Sequence, residues 1–146
     1  MMLLLYQKEI QSETELREVY PVMKQLRPHL DEPAFLELAD KAKKTENYRM
    51  LALYEDAVPV SLAGFVQRVT LNQGVHVWVD DLVTCEKHRS KGYGKKLLSA
   101  VEEWAKQHGC RTVELSSGTQ RREAHRFYEE KMGYEKASYL YRKHLK

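Results

Sequence analysis

Arg89-Ser90-Lys91-Gly92-Tyr93-Gly94 is the stretch on which the fold turns. Before it, residues 75–84 are rich in Val, with Trp78 and Leu82, and read as a strand. After it, Leu97, Leu98, Val101, Trp104 and Ala105 recur at helical spacing, so a helix is expected over 93–108, with Gly109 as its stop. Gly92 and Gly94 permit positive φ or close backbone approach. The first N–H groups of a helix lack intrahelical partners and lie at the positive end of its dipole. Lys87, Arg89, Lys91, Lys95 and Lys96 fall within the same ten residues, with His88 among them. A strand, a glycine turn, a helix start and clustered cations together make an anion site best suited to a pyrophosphate.

Two other phosphate motifs fail on these residues. A Walker loop needs G-x-x-x-x-G-K-[ST], which is absent here. A dinucleotide fingerprint needs a third glycine where Leu97 stands, near the start of a βαβ unit rather than deep in the chain. The plainer alternative is a tight turn beside a solvated lysine face.

Working outward, residues 2–10 read as a first strand. Leu16, Val19, Tyr20, Met23 and Leu26 give a helix over 13–27, stopped by Pro28. Asp31 caps a second helix carrying Phe35, Leu36 and Ala39. Residues 48–55, 59–71 and 75–84 form a strand meander, with turns at Glu55-Asp56 and Asn72-Gln73-Gly74. A strand over 111–116, a helix over 120–132 and a last strand over 136–145, with Tyr139 and Tyr141 on one face, complete the order. This predicts an α/β fold with a mixed, mostly antiparallel sheet and helices on both faces. No repeat or linker interrupts the 146 residues, so one domain over 1–146 is expected.

A net charge of +3 is too small to argue for nucleic acid. Two cysteines, Cys85 and Cys110, fit neither a disulfide framework nor a zinc site, and no metal is expected. The apolar opening, Met1 to Leu5, is too short for a leader or a membrane span, so a cytoplasmic protein with no membrane contact is the expectation. His76, His88, His108, His125 and His144 show no ligand spacing, and Trp78 and Trp104 read as core.

Read as Arg-x-x-Gly-x-Gly, residues 89–94 resemble the Q/R-x-x-G-x-G/A signature of the GNAT acetyltransferases. Val79-Asp80-Asp81-Leu82-Val83-Thr84 is similar to that family's fourth strand. Arg121-x-x-Ala124-x-x-Phe127-Tyr128, with Gly133-Tyr134 behind it, resembles the family's Asn-x-x-Ala-x-x-x-Tyr segment. The element order matches along the whole chain. Three departures stand out. Arg121 replaces a common asparagine, Cys85-Glu86 lacks the usual proline, and the spacing from Tyr128 to Gly133 is one residue long, which is expected to distort the end of that helix.

The resemblance implies a GNAT fold, splayed between strands 4 and 5, that uses acetyl-CoA to acetylate an amine. Pantetheine amides would pair with backbone groups of Leu82, Val83 and Thr84 like an added strand. The pyrophosphate would lie on N–H groups from Ser90 to Lys95, with Arg121 as a further contact. A homodimer stays open.

Acetyl transfer from a thioester depends mostly on positioning. The amine must also lose a proton, the oxyanion needs N–H donors, and the thiolate benefits from a proton. Tyr128 occupies the family's acid position; without the resemblance it would read as core. Asp80 is the first choice for a base acting through water, or for amine binding, with Asp81 behind it. Adjacent strand residues are expected to face opposite ways, so at most one would face the cleft. Val83 or Thr84 would supply the oxyanion N–H. The acceptor is read as a primary amine, with a small cationic amine favoured. A silent acyl-CoA-binding sensor and a nucleic-acid module are the competing classes.

Overall fold

The computed structural model describes residues 3–146. A five-stranded mixed sheet has the order β1-β2-β3-β4-β5. Strands β1 (Leu5–Glu9), β2 (Arg49–Glu55), β3 (Val58–Thr70) and β4 (Gly74–Thr84) pair antiparallel in sequence, through Tyr6↔Tyr54, Ala52↔Leu62 and Leu62↔Val83. The turns form where turn chemistry was expected: Asp56 and Gly74 both take positive φ. β5 (Val113–Leu115) lies beside the first half of β4. Arg111 N donates to Val75 O at 2.7 Å and Val77 N to Thr112 O at 2.9 Å. These bonds advance along both strands in the same direction, as in a parallel pair.

Helices α1 (Glu13–Leu26) and α2 (Glu32–Glu46) cover one face. Val19, Val22, Met23 and Phe35 pack there against Met50, Ala52, Tyr54, Leu62 and Val83. Burying each large side chain contributes roughly 1.5–3 kcal/mol. Ser12 and Glu15 form a reciprocal capping box at the start of α1, and the Asp31 carboxylate caps α2 by accepting from Ala34 N at 2.9 Å. Helix α3 (Tyr93–Gln107) lies on the other face and buries Leu97, Leu98, Val101 and Ala105, while Trp104 meets Phe65 edge-on at 5.1 Å. Gly109, at φ 72°, ends it as expected. Trp78 and Trp104 are half-buried rather than core: each ring supports a guanidinium, from Arg68 and Arg49 respectively.

Residues to Glu114 form one compact unit and Leu115–Lys146 a second. In the second, α4 (Arg122–Arg126) continues as a π-turn over Phe127–Lys131, where Met132 N donates to Phe127 O at 3.1 Å. A five-residue hydrogen-bond step absorbs one extra residue, the surplus noted between Tyr128 and Gly133. The expected strand over 136–145 does not form; Tyr139 and Tyr141 are exposed. Strand propensity there is not backed by burial, since Tyr139, Leu140, Tyr141 and Leu145 are all exposed.

Candidate active site

The 89–94 turn has the backbone expected of an anion cradle. Ser90 and Gly92 lie at φ 68° and 82°. Gly92 is the N-cap of α3, no side chain caps that end, and no acid occupies the first turn. The leading N–H groups are thus left for an outside acceptor beside Lys91, Lys95 and Lys96, which are exposed. Arg89 Nε donates to Thr84 O at 3.4 Å, tying the turn back to β4.

Glu55, at the end of β2, is the site's unexpected member. Tyr93 donates a hydrogen bond to it, and Lys91 Nζ and His88 Nδ1 lie 3.5 and 3.7 Å from its carboxylate. The Tyr93 hydrogen bond first, and then Lys91 and His88, hold the Glu55 carboxyl below its usual range. In sequence, Glu55 had only the appearance of a turn residue.

A second cluster sits where β4 bulges. Val79 pairs with Phe65 but Asp81 with Gly64, so Asp80 is an extra residue. The bulge interrupts the strict alternation on which Asp80 and Asp81 were expected to face opposite ways. Two steps along β4 match one along β3, and Asp81 meets Arg27 at the end of α1. The Asp80 carboxyl is influenced by Asp81, Arg68, Glu46 and Trp78. Asp80 lies at the surface by area, yet loss of hydration on its inner side raises its carboxyl above the ordinary value, and the Asp81 charge adds to this. Asp81 is enclosed. Arg27 Nη2 and Nε reach its Oδ1 at 2.9 and 3.0 Å, and Tyr48 donates to its Oδ2 at 2.7 Å. Burial first, and then the Asp81 charge, push the Tyr48 phenol well up, so it remains a donor. Arg27 and Tyr48 carried no motif in the sequence. Gly64, inside a strand, was the available signal for a bulge or close approach.

Backbone directions follow from the ladder. Cys85 N donates to Val60 O at 2.8 Å and the Ser61 hydroxyl to Val83 O at 3.1 Å. Polar groups of residues 83 and 85 therefore point at β3, and those of Leu82 and Thr84 point away, as the Arg89 contact to Thr84 O shows. The bonds to β5 lie at the other end of β4, at Val75 and Val77. Of the two oxyanion candidates, Thr84 has the outward N–H.

In the Leu115–Lys146 unit, Tyr128 is buried on α4's continuation. Its ring meets Phe127 at 5.4 Å and Tyr134 at 6.1 Å. Burial raises its pKa, opposed by the Arg121 charge, so the phenol is protonated at neutral pH. Arg121 is exposed, and the His125 ring is 2.8 Å from Gly118 O. Among the described residues, no group of three or more His, Cys, Asp or Glu could hold a metal ion, and no helix is long and apolar enough to cross a membrane.

Residues 11–134 match the acetyltransferase (GNAT) family model. The chain is 44% identical over 140 residues to a Bacillus subtilis (strain 168) protein called uncharacterized N-acetyltransferase YhdJ, covering 96% of this chain and 99% of that one. Its fold is similar to aminoglycoside N-acetyltransferase AAC(6')-Iy in complex with CoA, with TM-score 0.83, 19% identity, and 98% and 97% of the two chains covered. A GNAT family acetyltransferase of Staphylococcus aureus subsp. aureus USA300_TCH1516 superposes with TM-score 0.80 at 20% identity, over 97% and 98%. With the glycine turn, the bulged fourth strand and these likenesses together, the chain belongs to the GNAT family of acetyltransferases.

Proposed function

We propose that residues 1–146 act as one N-acetyltransferase domain moving the acetyl group of acetyl-CoA to a primary amine, with a small cationic amine as acceptor. The carrying observation is the uncapped N-terminus of α3 behind positive-φ Gly92, ringed by lysines. That arrangement fits a pyrophosphate, with Ser90, Lys91, Gly92, Tyr93, Gly94 and Lys95 as the cradle and Arg89 as its link to β4. Arg121 is assigned as a further phosphate contact. Acetyl-CoA brings an already activated thioester, so the protein's share is placement and proton handling.

Leu82 and Thr84 offer outward backbone groups to the pantetheine arm beside Val83, and Thr84 N–H is the donor to charge growing on the acetyl oxygen. Asp80 takes the amine proton through water. Its upward-shifted carboxyl is a better base than an ordinary aspartate. Asp80, Asp81 and Glu46 together favour a cationic acceptor. Tyr128 donates a proton to the departing sulfur. A cytoplasmic setting goes with this reading, and both cysteines are free thiols.

The test is thiol release from acetyl-CoA with polyamine, aminoglycoside, amino-acid and lysine-peptide acceptors, comparing the wild type with Tyr128→Phe and Asp80→Asn. Turnover of a cationic amine that falls in both variants is expected. Tight acetyl-CoA binding without turnover on any amine would point instead to an acyl-CoA sensor.

A further inference from the structure

Asp81 is more thoroughly held than a substrate-facing carboxylate needs to be. Helix α1 stops at Leu26, and Arg27 caps it, donating its N–H to Met23 O at 2.8 Å before Pro28 turns the chain away. From that fixed base the guanidinium crosses to β4. Nε and Nη2 bind Asp81 Oδ1 at 3.0 and 2.9 Å, and Nη2 also donates to the Asp80 carbonyl at 2.9 Å. The second Asp81 oxygen accepts from Tyr48. Tyr48 reaches it because Gly64, opposite Asp81 in the ladder, has no side chain; a Cβ there would overlap the Tyr48 hydroxyl. Three elements thus converge on the two residues of one bulge, and every contact falls on Asp81 or on the Asp80 backbone. None of these contacts involves the Asp80 carboxylate.

We propose that Arg27 is a positioning residue for acetyl transfer: it clamps Asp81 and the Asp80 carbonyl together, fixes the β4 bulge, and so leaves the Asp80 carboxylate as the reacting base. The proposal rests on the assignment of Asp80 as base made above. A planar guanidinium can grip a carboxylate and a carbonyl at once, which a lysine ammonium does less well. It also offsets the Asp81 charge next to Asp80. The charged and titratable groups around Asp80 are Asp81 on β4, Arg68 on β3, Glu46 at the end of α2, Tyr48 ahead of β2 and Arg27 from α1. Asp81 and Glu46 oppose its ionisation and Arg68 favours it.

The experiment is an NMR titration of the Asp80 side-chain carboxyl in the full chain, alongside kcat and KM with the best acceptor of the amine panel. In Arg27→Gln the Asp81 charge is uncovered, so the Asp80 midpoint should rise by at least about half a pH unit. In Asp81→Asn it should fall, and the double variant should return toward wild type. Arg27→Lys keeps the charge without the two-point grip. Its midpoint should stay near wild type, while kcat drops about tenfold and the acetyl-CoA KM stays within about twofold. An Asp80 midpoint unmoved in both Arg27→Gln and Asp81→Asn, or full kcat in Arg27→Lys, would overturn the proposal. Should Arg27→Gln not fold, Asp81→Asn and Arg27→Lys decide alone. Asp80→Asn separates the two levels. If it keeps full turnover, the base assignment itself fails; if it loses turnover while the Arg27 variants behave as wild type, only the positioning role fails.

Discussion

The proposed function gives Tyr128 and Asp80 opposite proton duties, and the surroundings of each push in the direction that proposal needs. Burial keeps the Tyr128 phenol protonated, and burial with the Asp81 charge raises Asp80. Tyr128→Phe removes the acid and should lower kcat by about a hundredfold, the lower end for general acid–base groups, with acetyl-CoA KM little changed. Steady-state kinetics at saturating acceptor checks this. The acidic limb of the kcat/KM profile should lie above the range of an unperturbed aspartate, because a raised pKa leaves Asp80 protonated, and inactive as a base, to higher pH. Comparing wild type and Asp80→Asn with one acceptor isolates that limb. The residues proposed for the chemistry were legible because they sit in motifs with fixed spacing. The residues that hold them were not. Arg27 and Tyr48 meet Asp81, and Glu55 meets Tyr93, only through tertiary contacts between elements far apart in sequence, and no local pattern encodes such meetings. The alternation rule could not be carried through the aspartates, since a one-residue bulge at Asp80 interrupts it and only Gly64 hinted at it.

At the scale of elements, the helix signals were the most readable. The apolar period of α1 and the Asp31 cap of α2 were read in the sequence, whereas the Ser12–Glu15 capping box emerged only in the structure: Glu15 accepts from Gln11 N and Ser12 N at 2.9 and 3.1 Å, and Ser12 Oγ accepts from Glu15 N at 3.1 Å. These backbone bonds, with Lys8 at 3.2 Å, lower Glu15 to about 2. Its stabilising share is therefore complete above the ordinary glutamate range and is lost as pH falls toward 2. Ser12→Ala should cost about 1 kcal/mol in chemical denaturation. The α3 turn makes a second case. Glu55→Ala releases Tyr93, Lys91 and His88 together, so acetyl-CoA KM should rise on the order of fivefold, the effect of an ordinary hydrogen bond, with kcat unchanged. A KM that stayed the same would remove Glu55 from the cradle. The segment over 136–145 marks the limit of element-level prediction. Its Tyr and Leu residues favour a strand, but that propensity is not backed by burial.

For the whole molecule, the α/β meander and the helices on both faces followed from hydrophobic period alone, because buried faces impose that period on any sequence. The acceptor did not, since carboxylates at a bulge specify charge rather than shape. Binding that favours the folded chain should also protect it. Acetyl-CoA at a hundred times its Kd should add about 2.7 kcal/mol and raise Tm by roughly 5–10 °C in a thermal scan. The central claim is that the 89–94 turn is the coenzyme A phosphate site, and Gly92 gives it a clean test. A side chain there would meet nothing within 4 Å, yet the residue holds φ 82°, so Gly92→Ala strains the turn without a clash. The decisive measurement is calorimetric titration of acetyl-CoA into wild type and Gly92→Ala. The account predicts at least about a tenfold loss of affinity in a variant that remains folded; equal affinity in the two proteins would contradict it.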